Sequence, residues 1–98
     1  MSGPDEDRKA VRLRISGRVQ GVWFRGWTVQ EAQARGLDGW VRNRLDGSVE
    51  ALLVGEMRIV EEMVLLCSKG PPAAKVAAVD IEPAQGITPR GFTQKPTV

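Results

Sequence analysis

The residues from Val11 to Ile15 alternate between apolar and polar side chains. Val11, Leu13 and Ile15 are apolar, and arginines stand between them. A period of two residues is typical of a strand that buries one face and exposes the other. The pattern therefore predicts a strand here, and the glycine-bounded stretch at residues 17–22 predicts a loop after it.

The periodicity of the sequence changes after this loop. Phe24, Thr28 and Ala32 lie four residues apart, so they share one face of a helix predicted from about Trp23 to Arg35. Gly36 is expected to end this helix, because glycine readily takes the left-handed conformation found just after helix C-termini.

The remainder of the chain predicts three further strands and one further helix. The strand signal is alternation bounded by turn residues, and the helix signal is an apolar row at intervals of three and four. The predicted elements are a strand over Leu37–Leu45, a two-residue hairpin turn at Asp46-Gly47, a strand around Val49, Ala51 and Leu53, a helix over about Glu56–Lys69 and a strand over Val76–Glu82. Residues 92–95 allow a short fifth strand.

This order of elements, strand-helix-strand-strand-helix-strand, is typical of the ferredoxin-like split βαβ arrangement (βαββαβ) in the α+β class. Such a fold has an antiparallel sheet with two helices on one face. The 98 residues have room for one domain of this kind, which we place at residues 10–98, behind a flexible leader at residues 1–9. The fold by itself does not identify a function, because it supports many activities.

The composition restricts the available chemistry. The chain has no histidine and one cysteine, Cys67, so it lacks histidine bases and the commonest transition-metal ligand, and no internal disulfide forms. No metal site is predicted. Cys67 falls in the apolar row of the second helix and is expected in the core. No apolar run is long enough to span a bilayer, and the leader is unlike a secretory signal, so we expect a cytoplasmic protein without a membrane partner.

Positive charge is concentrated in the first half of the chain, although the formal net charge is only +2. Residues 8–44 hold nine basic against two acidic residues, whereas the remainder holds five basic against ten acidic ones. A surface built from the first half is expected to attract an anionic partner. A solvated basic face without a ligand fits the charge pattern equally well.

The loop at residues 17–25 combines the features of an anion-binding site. It contains Gly17 and Gly21 and leads from a predicted strand into the first turn of a predicted helix. Glycines permit positive φ angles that turn successive N–H groups toward one point, and a helix N-terminus adds unpaired donors and partial positive charge. Arg25 at the helix start can place its planar guanidinium on the same anion. The segment lacks the Gly-Lys-Ser/Thr of a nucleotide-binding P-loop.

Two segments of the sequence resemble the signature sequences of a known family. Gly17-Arg18-Val19-Gln20-Gly21-Val22-Trp23-Phe24-Arg25, followed by Thr28, resembles the first acylphosphatase signature. The segment from Gly36 through Asn43 to Glu50 resembles the second, and Gly70 to Val76 is similar to the stretch before the family's fourth strand. The resemblance extends from about Val11 to Phe92, and the two signatures together are highly specific.

The resemblance implies a small, stand-alone acylphosphatase that hydrolyses the carboxyl–phosphate bond of acyl phosphates to a carboxylate and inorganic phosphate. It implies that Arg25 binds the phosphate, that Asn43 orients the attacking water, and that no metal or cofactor takes part. The implied phosphate cradle consists of the backbone amides of Gln20, Gly21, Val22, Trp23, Phe24 and Arg25. Gly17, Arg18 and Thr28 are expected to support this loop.

Two residues depart from the family's usual pattern. Trp23 stands where the family often has glycine or another aromatic residue, and Gly26 stands where a bulkier residue is common. A glycine in the first helical turn weakens the helix slightly. Neither change removes a catalytic group, but Trp23 is expected to reshape the rim of the site and to affect leaving-group preference.

Other functions remain open on the sequence alone. A non-catalytic anion- or nucleic-acid-binding module shares the fold, but RNA recognition needs exposed aromatic residues on central strands, and residues 48–54 contain none. A domain specific for carbamoyl phosphate, as in larger carbamoyl-transfer maturation proteins, is a second alternative. Arg18, Arg42 and Arg44 either steer phosphate toward the site or are solvated surface charges. We predict a monomer that binds a small-molecule acyl phosphate and no nucleic acid.

Overall fold

The computed structural model describes residues 7–86 and 88–98, which form one sheet and two helices. The elements in chain order are β1 (Arg8–Arg18), α1 (Phe24–Ala34), β2 (Asp38–Asn43), β3 (Val49–Glu56), α2 (Met57–Lys69), β4 (Lys75–Pro83) and β5 (Phe92–Gln94). The predicted order of strands and helices is confirmed, and the short fifth strand is present. The α+β, ferredoxin-like arrangement follows from this order.

The sheet has the strand order β4-β1-β3-β2-β5. β1 pairs with β3 and β4, and β2 pairs with β3, all in antiparallel fashion. β5 lies parallel to β2, with Gly39 opposite Phe92 and Val41 opposite Gln94. The antiparallel pairing predicted for β1 to β4 is confirmed, and β5 makes the five-stranded sheet mixed. An edge strand of three residues carries too little pattern to reveal its direction.

The core lies between one face of the sheet and the two helices. α1 packs mainly on β2 and β5, and α2 packs on β1, β3 and β4. The buried helical residues are Phe24, Thr28, Ala32, Val60, Met63 and Cys67. The predicted apolar face of α1 and the core position of Cys67 are thus confirmed. Burial raises the pKa of the Cys67 thiol to about 12, which keeps it protonated and unreactive at neutral pH.

The helices begin one residue later than the sequence predicted. Trp23 has a left-handed backbone with φ of 65°, so the first helical residue of α1 is Phe24. α2 begins at Met57 and ends before Gly70, whose N–H donates to the carbonyl of Leu66 over 2.8 Å. Within the described residues, neither helix is long and apolar enough to cross a membrane.

The sheet begins earlier than the sequence predicted. Arg8 and Lys9, expected in a flexible leader, pair with Glu56 and Gly55 of β3. Their side chains are polar, but the backbone supplies the bonds of a sheet whatever the side chain, so the apolar alternation understated the length of β1. Residues 1–6, the rest of the predicted leader, lie outside the described residues.

The hairpin between β2 and β3 has a longer turn than the two-residue turn predicted at Asp46-Gly47. The N–H of Arg44 donates to the carbonyl of Ser48 over 2.9 Å, and the N–H of Gly47 donates to the carbonyl of Arg44 over 3.1 Å. Leu45 and Asp46 are therefore the central residues of the turn. Gly47 follows them with φ of 94°, which is the place of glycine in longer hairpin loops.

Trp40 packs on the face of the sheet that the helices leave open. It is half-buried, and it alternates along β2 with Val41, which is fully buried in the core. The guanidinium of Arg42 lies 4.6 Å from the centre of its indole, and the ammonium of Lys95 lies 4.8 Å away. These cation–π contacts cover the ring, so Trp40 is a sheet-packing residue rather than a core residue.

Candidate active site

One side of the candidate site is formed by a sharp turn between β1 and α1. Gly21 and Trp23 both have left-handed backbone angles, with φ of 73° and 65°. The first backbone bond of α1 runs from the N–H of Trp27 to the carbonyl of Trp23 over 3.0 Å, so the N–H groups of residues 24–26 precede it. In the described part of the chain, no backbone carbonyl accepts a hydrogen bond from the N–H groups of residues 20–23.

The N-terminus of α1 also lacks the groups that usually satisfy such donors. Among the described residues no side chain caps it, and its first turn contains no acidic residue. Uncapped N–H groups and the partial positive charge of a helix N-terminus are suited to an anionic ligand.

Arg25 lies in the first turn of α1 and is half-buried. Its guanidinium forms no hydrogen bond or ion pair with any residue in 7–86 or 88–98. By contrast, Arg35 at the other end of the helix is bound to Glu31 and Glu62 over 3.0 and 2.8 Å. An unpaired guanidinium beside free N–H groups is arranged to bind an anion such as phosphate.

Asn43 is the last residue of β2 and lies on the helix-facing side of the sheet, like Val41. Its side-chain oxygen Oδ1 is buried and accepts no hydrogen bond from the described residues. Its backbone carbonyl accepts a bond from the N–H of Val98 over 3.2 Å, which holds the main chain in place. Buried acceptors without a donor are rare in folded proteins, so this oxygen is suited to a bond from water or a ligand.

Gln20 joins the loop to the β2–β3 hairpin. Its Nε2 donates to the carbonyl of Arg44 and to the carbonyl of Ser48, each over 2.8 Å. The turn that accepts these bonds is itself ordered by Asp46, whose Oδ1 accepts the Ser48 hydroxyl over 2.6 Å and the Ser48 N–H over 2.9 Å. These two bonds lower the pKa of the Asp46 carboxyl. Gln20 therefore fixes the loop that carries Arg25 relative to the strand end that carries Asn43.

Glu50 organises the arginines on the open face of the sheet. Its carboxylate accepts bonds from Arg42 Nε over 2.8 Å and Arg44 Nη1 over 3.0 Å, and it lies 3.8 Å from Arg12 Nε. Burial acts to raise the pKa of Glu50, but the bonds from the two arginines outweigh it and lower the pKa. Because Arg42 and Arg44 flank Asn43 in the chain, Glu50 secures the end of β2 from the face opposite to the Asn43 side chain. Both arginines are thus ion-paired rather than simply solvated.

Replacing Glu50 with glutamine is expected to lower the free energy of unfolding at pH 7 by about 1–3 kcal/mol, because two part-buried arginines lose their counter-charge. A lowered pKa adds stability that is complete above the ordinary glutamate value of 4.5 and is lost as the pH falls through the lower folded value. The difference from the wild type therefore shrinks at pH 3. Urea unfolding at the two pH values measures it, with the exposed Glu82→Gln as control. If Glu50→Gln lowered the free energy of unfolding equally at both pH values, Glu50 would not act as a charged partner of the arginines.

The loop, the start of α1 and the end of β2 line an open cavity of about 290 Å³. Its lining residues are Val19, Gly21, Trp23, Phe24, Arg25, Gly26, Asn43 and Gln94. The structure thus brings Arg25 and Asn43, the two residues predicted to be catalytic, to one cavity. Four of the six residues of the predicted cradle, Arg25 among them, line this cavity.

The other predicted loop and supporting residues lie behind the cavity or beside it. Val22 packs against the core, and the Thr28 hydroxyl donates to the carbonyl of Phe24 over 2.8 Å. Gly17 follows a bulge in β1, and its φ of 120° and the close approach of β4 leave no room for a side chain. Arg18 is exposed at the end of β1 and does not line the cavity.

Three residues that line the cavity were not predicted as site residues: Val19, Gly26 and Gln94. Val19 is buried, with 1% of its surface exposed, and it belongs to the signature segment. Gln94 reaches the cavity because β5 lies parallel to β2, a pairing that no local pattern signals. The sequence feature that could have identified Gly26 is that glycine is unusual in the first turn of a helix and that this one lies three residues after Trp23.

Comparisons with known proteins agree on one family. The family model "Acylphosphatase" matches residues 11–94 of the chain. An acylphosphatase of Rhizorhabdus wittichii is 57% identical over 99 residues, covering 100% of both chains. One of Rhodospirillum rubrum is 51% identical over 92% of this chain and 99% of its own. The solved structure of an acylphosphatase from Coxiella burnetii matches with a TM-score of 0.89 at 29% identity, over 97% of this chain and 100% of that one.

Proposed function

The chain belongs to the acylphosphatase family and is an acylphosphatase, and from this premise we propose how its cavity hydrolyses the carboxyl–phosphate bond of an acyl phosphate. Arg25 and the free N–H groups of residues 20–25 bind the phosphate group, and Asn43 positions the attacking water. The observation that carries the proposal is that Arg25 and Asn43 line one cavity, while neither the guanidinium of Arg25 nor the buried Oδ1 of Asn43 has a partner among the described residues.

The phosphate group is held by charge and by fixed dipoles. The planar guanidinium of Arg25 can donate two parallel bonds to phosphate oxygens, and the N–H groups at the start of α1 add further donors. The transition state of phosphoryl transfer is loose and spreads charge over these oxygens. Donors that are already in place stabilise that charge without reorganising, so they lower the barrier rather than only bind the substrate.

Water is the nucleophile, and Asn43 aligns it. The Oδ1 of Asn43 accepts a hydrogen bond from the water and directs its oxygen toward phosphorus. The new bond from this oxygen to phosphorus forms as the bond between phosphorus and the acyl oxygen breaks, and that electron pair leaves with the carboxylate. The proton of the water passes to a phosphate oxygen of the substrate or to solvent. The leaving carboxylate has a conjugate acid with a pKa of about 4, so it needs no general acid.

The wild-type enzyme is expected to hydrolyse benzoyl phosphate and acetyl phosphate at rates that EDTA does not change. No group of three or more histidine, cysteine, aspartate or glutamate residues that could hold a metal ion exists within residues 7–86 and 88–98. The loss of benzoyl phosphate absorbance in the ultraviolet measures the rate. Failure to hydrolyse both substrates would contradict the proposed function, and inhibition by EDTA would reveal a metal requirement that the mechanism does not contain.

We further propose that the enzyme is a cytoplasmic monomer that acts on a small-molecule acyl phosphate, releases inorganic phosphate and binds no nucleic acid. The relatives reported above match as acylphosphatases along nearly their whole length, which does not favour a binding module or an enzyme restricted to carbamoyl phosphate. Light scattering after gel filtration is expected to give the mass of one chain, 10.7 kDa.

A further inference from the structure

Trp23 combines a strained backbone with an exposed indole at the rim of the cavity. It is the one non-glycine residue with a positive φ, 65°, among residues 7–86 and 88–98. For a bulky residue this conformation is an outlier, and such strain persists mainly at functional sites. Trp23 is nevertheless 58% exposed, so burial in the core does not account for its place.

The indole of Trp23 packs directly against Gly26. A Cβ atom at Gly26 would collide with the indole Nε1 and would lie only 2.8 Å from Cδ1 and 2.9 Å from Cε2. The pyrrole part of the ring therefore occupies the space that the side chain of any other residue would fill. A glycine in the first turn of α1 weakens the helix, and the contact with the indole gives a physical reason for it.

Trp23, whose indole packs against Gly26, lines the cavity together with Gly26, Arg25 and Asn43. Arg25 and the free N–H groups match the phosphate group of an acyl phosphate, but the acyl group carries no charge for them to bind. An aromatic surface beside these donors offers apolar contact to that group. Resting on the proposed function, we propose that Trp23 is a specificity-determining residue that packs against the acyl group. It favours acyl phosphates with aromatic or large apolar acyl groups over small ones.

The test compares kcat/KM for benzoyl phosphate with kcat/KM for acetyl phosphate in the wild type, Trp23→Gly, Gly26→Ala and the double variant. Trp23→Gly removes the indole and suits the left-handed backbone, whereas Gly26→Ala keeps the indole but displaces it. Each single variant is expected to lower the ratio of the two values by about tenfold, mainly through the KM for benzoyl phosphate. In the double variant the second change adds nothing, because both changes act on one contact.

Two control variants test whether the effect is specific to the indole of Trp23. Trp40→Leu removes an indole from the opposite face of the sheet and is expected to keep the wild-type ratio. Trp23→Asn also tolerates the left-handed backbone, so it separates loss of the indole from the added flexibility of glycine. Equal losses for both substrates in the two Trp23 variants, or a wild-type ratio in Gly26→Ala, would overturn the inference. A wild type that hydrolyses neither substrate would overturn the proposed function, and the inference with it.

Discussion

Replacing Arg25 with alanine is expected to lower kcat/KM for benzoyl phosphate by a factor of about 10³ or more. The guanidinium forms no bond with a described residue, so its loss removes contacts to the substrate rather than contacts that hold the fold. The transition state spreads negative charge over the phosphoryl oxygens, and the neutral N–H groups of the loop stabilise it less well without a full positive charge beside them. Steady-state kinetics, with Tm as a measure of folding, report the loss.

Two further arginine variants show whether the effect belongs to this site. Arg25→Lys keeps the positive charge but loses the planar pair of donors, so it is expected to retain only a small part of the activity. Arg58→Ala removes an exposed arginine at the start of α2, at the other end of the sheet, and is expected to keep full activity. Unchanged turnover in a folded Arg25→Ala enzyme would remove Arg25 from the mechanism.

Replacing Asn43 with alanine is expected to lower kcat by a factor of about 10²–10³ and to change KM little. The Oδ1 of Asn43 has no donor among the described residues, so its removal breaks no bond within the fold. The backbone bond from Val98 to the Asn43 carbonyl, over 3.2 Å, does not involve the side chain. The phosphate site remains intact, but the water loses the group that aligns it with phosphorus.

The aspartate variant of Asn43 gives a matched comparison. Asn43→Asp retains an oxygen acceptor but adds a negative charge next to the phosphate, so it is expected to raise KM, whereas Asn43→Ala is not. Measuring kcat and KM separately for the two variants distinguishes alignment of water from binding of phosphate. A kcat for Asn43→Ala equal to that of the wild type would mean that another group positions the water.

Local patterns in the sequence predicted the elements that carry the site. The four-residue spacing of Phe24, Thr28 and Ala32 fixed which face of α1 packs on the sheet, because burial of an apolar face is what orients a helix. That orientation brings the first turn of α1, with Arg25, next to the end of β2. The loop residues and Asn43 then followed from the resemblance to a family, while their roles stay predictions until the variants are measured.

Local sequence patterns did not predict the contacts between segments that are distant in the chain. Gln20 bonds to carbonyls 24 and 28 residues away, and nothing in its neighbourhood signals those partners. β5 has three residues, so its parallel pairing with β2, which brings Gln94 to the cavity, depends on the whole sheet. The contact between Trp23 and Gly26 lies within one segment, but it requires a left-handed tryptophan, which sequence propensities do not anticipate.

The most direct test measures the affinity of inorganic phosphate for the wild type, Arg25→Ala and Asn43→Ala by isothermal titration calorimetry. It asks whether Arg25 binds the phosphate while Asn43 acts only on the water. This measurement does not depend on turnover, since phosphate is the product and is expected to bind in the same cradle. We expect Asn43→Ala to bind phosphate as the wild type does and Arg25→Ala to bind it at least tenfold more weakly, since it loses a charge-assisted pair of bonds. Wild-type affinity in Arg25→Ala would contradict the assignment of Arg25 as the residue that holds the phosphate.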